Sequence, residues 1–366
     1  MTARGGEATT SGDDLVLPEG TVVLHIGPPK TGTSTVQGAF HAARAATLAQ
    51  GVRYVGRSRH SGTGVLAVTG RPSFRRDSGP PPIRAWKELV SEIRSAREAR
   101  VLLSSEFFAD AEPDAISRIV RDLDLAPGRL HVVVTLRPLA AILPSQWQQY
   151  VQSFMPLAYD DWLDGVFNKP RGAVTPTFWR RHRHDELIDR WAQAVGAENV
   201  TAVVIDEVDH DQVLRTFERL LGLDLGTLVA TADLANRSMS LPEIEAVRAF
   251  GAAFREAGLG NALYHRVVHF GAAAFMKARP LPPDEPRIAT PAWALARSAE
   301  VQRAMAGRIA GRGVRVVGDL ASMLDSPGGR PGHDGPAVVC VPLDVAARMA
   351  IGVIVVAGLA RGMTVD

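Results

Sequence analysis

The sequence predicts an α/β fold: a mostly parallel central sheet in three layers, with helices on both faces and a helical subdomain. Three observations carry this. Short β-branched apolar runs recur ("VVLHI", "VLLSS", "HVVVTL", "NVTAVVI"), and segments of helical period separate them. The runs are apolar throughout rather than alternating, as strands covered on both faces must be. The first run also breaks sharply. In "VVLHIGPPKTGTSTVQGAF" the chain stops at Gly27, Pro28 and Pro29, passes one lysine and enters a crowd of hydroxyls.

Each element follows from its own pattern. Val36, Ala39 and Phe40 fall at helical spacing, so a helix follows the loop. "GVRYVG" at 51–56 reads as a short strand. Residues 57–82 are rich in Gly, Ser, Arg and Pro with no period, and read as a long loop beside the site. Ile83, Trp86, Leu89, Val90 and Ile93 form one stripe of a helix over about 83–98. "RVLLSSEFFA" gives a strand ending at Ser104 or Ser105, and a helix over 113–123 leads to "PGRLHVVVTLRP". That strand stops at Arg137 and Pro138, and a helix over about 139–153 follows. Residues 155–180 read as loop-rich and aromatic, and a helix over about 181–195 precedes the strand "NVTAVVIDEV". A helix over 210–221 comes next, then a mainly helical stretch over 236–305 interrupted by "RPLPPDEPR", then a late strand in "GVRVVGDLASML". The expected organisation is a disordered lead over 1–20, an α/β domain over 21–325 with helical additions around 150–195 and 236–305, and a C-terminal segment over 326–366 packed on the core.

Composition excludes several classes. The 41 Lys and Arg against 39 Asp and Glu leave a net charge of only +2, so nothing global points to nucleic acid. Cys340 is the only cysteine, which rules out an intramolecular disulfide and a cysteine-based metal centre and fits a reducing, cytoplasmic setting. The first twenty residues hold no apolar core of a secretory signal. "MAIGVIVVAGLA" is shorter than the roughly 20 apolar residues that span a bilayer, so no integral membrane segment is expected and the stretch reads as a buried helix or strand. The chain has four lysines, Lys30, Lys87, Lys169 and Lys277, and one of them sits in the glycine loop.

In a parallel sheet, ligands bind beyond the carboxyl ends of the strands. Lys30, Glu106 and Arg137 each follow a buried run directly. The helix after the loop begins with unpaired N–H groups, which hold a phosphate or sulfate. Thr31, Thr33, Ser34 and Thr35 add hydroxyls, some for the ligand and some for the helix end. The loop is not a Walker A sequence, since two residues separate Gly27 from Lys30 and no Gly-Lys-Ser/Thr occurs. "VVIDEV" around Asp206 has the look of a Walker B strand, but such runs are common by chance.

These residues carry a family resemblance. "IGPPKTGTSTVQGAF" resembles the 5′-phosphosulfate loop of sulfotransferases that use 3′-phosphoadenosine 5′-phosphosulfate, a P-loop-type fold. "VVVTLRPLAAILPSQW" is similar to their 3′-phosphate strand and helix, where a Ser follows the strand-ending Arg by eight residues, as Ser145 follows Arg137. Trp147 stands where an aromatic residue is usual, while Pro138 directly follows the Arg and the usual intervening Asp is missing. "NRSMSLPEIEAVRAF", from Asn236, resembles a segment of bacterial carbohydrate-type members. The segment from Arg312 to Asp319 is given no ligand, because it lacks the lysine of the family's late motif. The likeness covers roughly residues 20–325 and is specific at two motifs.

The resemblance implies a role for each site residue. Pro29, Lys30, Thr31, Gly32, Thr33 and Ser34 would hold the 5′-phosphosulfate, with Lys30 acting on the leaving phosphate. Arg137 and Ser145 would clamp the 3′-phosphate, and Glu106 would be the base that deprotonates a small-molecule or carbohydrate hydroxyl. No metal is required. His25 is the rival base, with His60, His131, His182 and His184 behind it. Trp162, Phe167, Phe178 and Trp179 stand open between stacking on an acceptor and packing a helical core. Two other classes also stay open: a P-loop kinase or NTPase, and a non-catalytic nucleotide-binding protein.

Overall fold

A computed structural model describes residues 15–72, 79–169, 177–231, 237–324 and 340–358. Residues 1–14 of the lead, Asn236 and residues 325–339 and 359–366 lie outside the described set.

Six strands form one sheet: β1 (Thr21–His25), β2 (Val52–Tyr54), β3 (Arg100–Ser104), β4 (Leu130–Leu136), β5 (Val200–Val204) and β6 (Arg315–Val317). The order is β2-β3-β1-β4-β5-β6, and every pairing is parallel. Thus β1 lies between β3 and β4, with His25 in register with Ser104 and Val22 with Leu130. This is the α/β class the apolar runs predict.

Period-two alternation divides the strand residues between two cores. Val22, Leu24, Leu103, Val132 and Val134 pack on one face against Trp86, Ile119, Leu187 and Trp191. Val23, Leu102, Val133 and Val203 pack on the other against Val36, Phe40, Phe217 and Leu220. At about 25 cal/mol per Å² of apolar surface, these two covered faces are the main stabilising term. A third core lies beside the sheet in the helices Leu139–Gln152, Tyr159–Phe167, Leu241–Glu256 and Asn261–Val267. Trp162 and Phe178 are fully buried there and Phe167 nearly so, and Trp179 donates its indole N–H to the Val166 carbonyl at 2.8 Å. The choice left open for these rings thus resolves to packing in the helical core.

Four expectations are corrected. Residues 62–69, read as loop, form the helix Gly62–Thr69, and the loop-rich stretch before Thr177 holds the helix Tyr159–Phe167. Gly64 explains the first miss. A Cβ there would stand 2.5 Å from Leu89 Cδ1 and 2.8 Å from the Ala85 carbonyl, so close helix packing overrides the low helical propensity of glycine. The lead also joins the fold before Thr21. Leu17 is buried and donates its N–H to Leu220 at 2.9 Å. The C-terminal apolar stretch forms the helix Leu343–Val356, which packs on the third core through Val345 but leaves Ile351 and Ile354 exposed. No described helix is long and apolar enough to cross a membrane.

Candidate active site

The loop after β1 is fastened to both neighbouring strands. Ile26 donates to Val133 and Thr135 donates to Gly27, each at 3.0 Å, while Ser105 donates to His25 at 3.0 Å. Gly27 has φ 76°, where a side chain is strained. A Cβ there would also lie 2.9 Å from Glu106 Cα. Glycine therefore lets Glu106 run directly alongside the loop.

Lys30 and Gly32 also take positive φ, 69° and 79°. Alternating hands turns successive N–H groups to one side and makes an anion-binding concavity. Among the described residues, the N–H groups of Lys30, Gly32, Thr33 and Ser34 make no hydrogen bond that closes them off. Gly32 precedes the helix Thr33–Ala42, whose N-terminus has no side-chain cap and no acidic residue in its first turn. The loop thus brings several N–H dipoles and an uncapped helix end together on one side.

The hydroxyls do not all face that concavity. Thr31 is fully buried, donates to the Pro28 carbonyl at 2.6 Å and shares a 2.7 Å bond with Thr135. Thr33 is buried as well and reaches Pro28 at 3.4 Å. Both side chains brace the loop rather than face the concavity. Ser34 is exposed, and its carbonyl accepts from Arg59 at 2.9 Å. Pro29 is buried at the loop's base.

Burial, first of all, lowers the Lys30 ammonium to about 8. Lys277 and Arg137 push it the same way, and Glu106 opposes them. The sheet has thus brought Lys30, Glu106 and Arg137 into one electrostatic neighbourhood. Lys277 is a fourth member that the strand-end argument missed, because it arrives from the helix Ala273–Lys277. The carbonyls of Met276 and Lys277 accept from Arg237 at 2.7 and 2.8 Å. Arg237 forks onto Glu243, which also takes Arg279 at 2.8 Å, and Arg279 in turn pairs with Glu285. Glu243 closes a capping box with Ser240 at the start of Leu241–Glu256. The S-x-x-E spacing "SLPE" was the available signal, though it marks a helix start and not a site.

Glu106 opens a short helical turn, Glu106–Asp110, after β3. Its Oε2 accepts from Gln37 at 3.3 Å, and Gln37 Oε1 lies 2.6 Å from His60 Nδ1. At the other end of that turn Asp110 and Arg181 form a buried bidentate pair at 2.6 and 2.7 Å. Of the two rings that directly follow Glu106, only Phe107 is partly exposed. Phe108 is fully buried between Trp86 and Trp191.

Of the five rival bases, His60 lies one glutamine away from Glu106, and the other four are buried. His25 is fully buried, bonded to Ser104 at 2.8 Å and Thr135 at 3.3 Å, and set edge-on to Phe217. Burial lowers it to about 3, so it stays a neutral member of the sheet. His131 bonds Thr201 at 2.8 Å, and burial, helped by Arg315, lowers it to about 4. His182 and His184 are fully buried, and burial lowers both, His184 to about 4. Lys30 is among the charges that act on His182.

Arg137 stands at the carboxyl end of β4, and its NH1 donates to the Lys30 carbonyl at 3.4 Å. The rest of its fork is taken by Glu207, at 2.6 and 2.7 Å. Ser145 is half-buried in the second turn of Leu139–Gln152 and donates to Ile142 at 3.0 Å, with no hydrogen bond to Arg137 among the described residues. The carboxylates of "VVIDEV" are both engaged. Asp206 accepts from the N–H groups of Val208 and Asp209, and Glu207 holds Arg137. A separate recess lined by Glu19, Arg94, Glu98, Asp124 and Arg129 opens at the opposite, amino-terminal end of the sheet. It shares no residue with the loop.

No family model matches the chain, and no curated protein matches it. Among solved structures, it is similar to the crystal structure of a sulfotransferase from Alicyclobacillus acidocaldarius, with 17% identity and a TM-score of 0.41, over 67% of this chain and 98% of that one. The functional reading accordingly stands on the geometry at the strand ends.

Proposed function

We propose that the chain is a sulfotransferase that moves a sulfuryl group from 3′-phosphoadenosine 5′-phosphosulfate to a hydroxyl acceptor. One observation carries the reading. A half-buried lysine at positive φ stands among unpaired loop N–H groups, with an arginine bonded to its carbonyl and a carboxylate alongside. That set meets the charge demands of in-line transfer between two oxygens. The acceptor oxygen forms the new bond to sulfur, and the bond from sulfur to the donor's 5′-phosphate oxygen breaks. The electron pair leaves with that oxygen, where Lys30 and the loop N–H groups meet it. The acceptor's proton passes to Glu106. Arg137 takes the 3′-phosphate, with Ser145 as its partner on the next helix.

The NTPase reading lacks its loop, since no Gly-Lys-Ser/Thr occurs and two residues separate Gly27 from Lys30. The test is nucleotide binding by calorimetry. Adenosine 3′,5′-bisphosphate should bind far more tightly than 5′-AMP, and Arg137→Ala should lower its affinity about tenfold to a hundredfold, the worth of a charge-assisted bond. Labelled sulfate should then pass from the donor to one of a panel of sugar, lipid or phenol hydroxyls. Equal binding of AMP and the bisphosphate would remove the assignment.

A further inference from the structure

The two partners in the Arg137–Glu207 pair are held very differently. Arg137 directly follows a central strand, bonds the Lys30 carbonyl, and stands two residues before Leu139, whose N–H donates to the buried Gln302 at 3.1 Å. Glu207 sits on a surface turn after β5. Asp206 folds that turn by accepting two backbone N–H groups, at 2.8 and 3.1 Å, and Val208, Asp209 and His210 are all exposed. The two side chains are about equally exposed, 30% and 26%, but the arginine's backbone belongs to the frame and the carboxylate's to a surface turn. The two-pronged geometry of 2.6 and 2.7 Å is the one in which a guanidinium receives any oxyanion that offers two oxygens. Glu207 therefore occupies the place an incoming anion would need.

We infer that Glu207 is a specificity residue: an internal carboxylate that fills the Arg137 fork until a ligand phosphate displaces it. This rests on the donor reading above, in which the displacing group is the 3′-phosphate. A phosphate offers three oxygens and up to two charges, so it can replace a single carboxylate. A ribose hydroxyl offers neither and leaves the ion pair closed. Nucleotides without the second phosphate thus gain nothing from Arg137, and the pair sharpens selection for the bisphosphate form. Because Arg137 NH1 also holds the Lys30 carbonyl, the exchange takes place in contact with the loop that would carry the 5′ group.

The experiment is calorimetric titration of wild type, Glu207→Gln, Arg137→Ala and the double variant with adenosine 3′,5′-bisphosphate and with 5′-AMP. Glu207→Gln keeps the side-chain shape on an exposed turn and removes the competing charge. It should bind the bisphosphate about twofold to fivefold more tightly, the scale of a partly exposed ion pair, with AMP unchanged. In the Arg137→Ala background the same change should have no effect. Weaker or unchanged bisphosphate binding by Glu207→Gln would overturn the inference, the weaker case showing that Glu207 positions Arg137 rather than competing for it. An equal gain for AMP would also overturn it, because the effect would then be a general field. If wild type prefers the bisphosphate and Glu207→Gln changes nothing, the donor reading stands and only the role of Glu207 falls. If no variant binds either nucleotide, the donor reading itself fails and the inference goes with it.

Discussion

The sheet and the helical layer beside it are held together by different forces, and the candidate site lies where they meet. Around the loop after β1 the fold is apolar and backbone-bonded. Val22, Leu24, Val132 and Val134 pack one face, and main-chain bonds tie Ile26, Gly27 and Ser105 to neighbouring strands. In the helical layer, buried charge adds to a large aromatic core. Glu243, Arg279 and Glu285 are all buried, and Arg181 pairs with a buried Asp110. The sheet delivers Lys30, Glu106 and Arg137. The charged network supports the backbone that carries Lys277 to the same place. Apolar packing fixes where strands end, so chemistry placed at strand ends follows from it. A buried ion network contributes little net stability, yet removing one member strands the others, so it specifies one arrangement.

The sharpest break of this comparison lies on the sheet side. Glu106→Gln keeps size and one acceptor oxygen but cannot take a proton. Its partner is a half-exposed turn and one glutamine, so the fold should not depend on its charge. Donor affinity should stay near wild type while turnover falls roughly 10²–10⁴-fold, the usual worth of a placed base. The loss should shrink with acidic phenols, which arrive nearly deprotonated. Turnover across acceptors of graded pKa measures this, and wild-type rates throughout the series would take Glu106 out of the mechanism.

On the helical side the expected loss is in stability. Glu243 receives Arg237 through two bonds, Arg279 through one and the Ser240 N–H through another. Glu243→Ala leaves two guanidinium groups short of their anion and opens the capping box. The cost should be about 3–5 kcal/mol, read by urea unfolding. An unfolding midpoint equal to that of wild type would show that the network is solvated and not the frame described above.

The two halves also differ in how well the sequence foretold them. β-branched runs pointed to all six strands, the first four ending within a residue or two of the expected places and β5 and β6 shorter than the stretches read for them, and the glycine-lysine loop was found because "GPPK" interrupts an apolar run. Lys30, Glu106 and Arg137 followed from the rule that parallel sheets bind beyond their carboxyl ends. Lys277 was invisible, because it sits at the end of a five-residue helix and is brought in by contacts distant in sequence. Glu207 was seen only as one half of a Walker-like pair, and its bond to Arg137, 70 residues away, has no local signature. The helix Gly62–Thr69 was lost to its glycines, whose missing side chains are what let Leu89 and Phe107 approach. The apolar C-terminal helix was placed inside because hydropathy reports composition, while exposure depends on which neighbours happen to be available.

The smallest effect expected tests the meeting point of the halves. Burial chiefly, then Lys277 and Arg137, lower Lys30 to about 8, while Glu106 opposes them. In the proposed reaction Lys30 works as a cation, so it is competent below that value and fails as pH rises through it. Turnover should therefore decline above about pH 8, on a limb that belongs to the lysine and not to the base. Lys277→Ala removes one repulsive charge, favours the protonated form of Lys30 and should move this alkaline limb upward. Lys277→Arg keeps the charge and should leave the limb close to its wild-type position. A pH series of kcat/KM for the three proteins measures both shifts. If Lys277→Ala lowers turnover at every pH without moving the limb, Lys277 touches the ligand rather than tuning Lys30. The helical layer would then supply a binding group and not only a field.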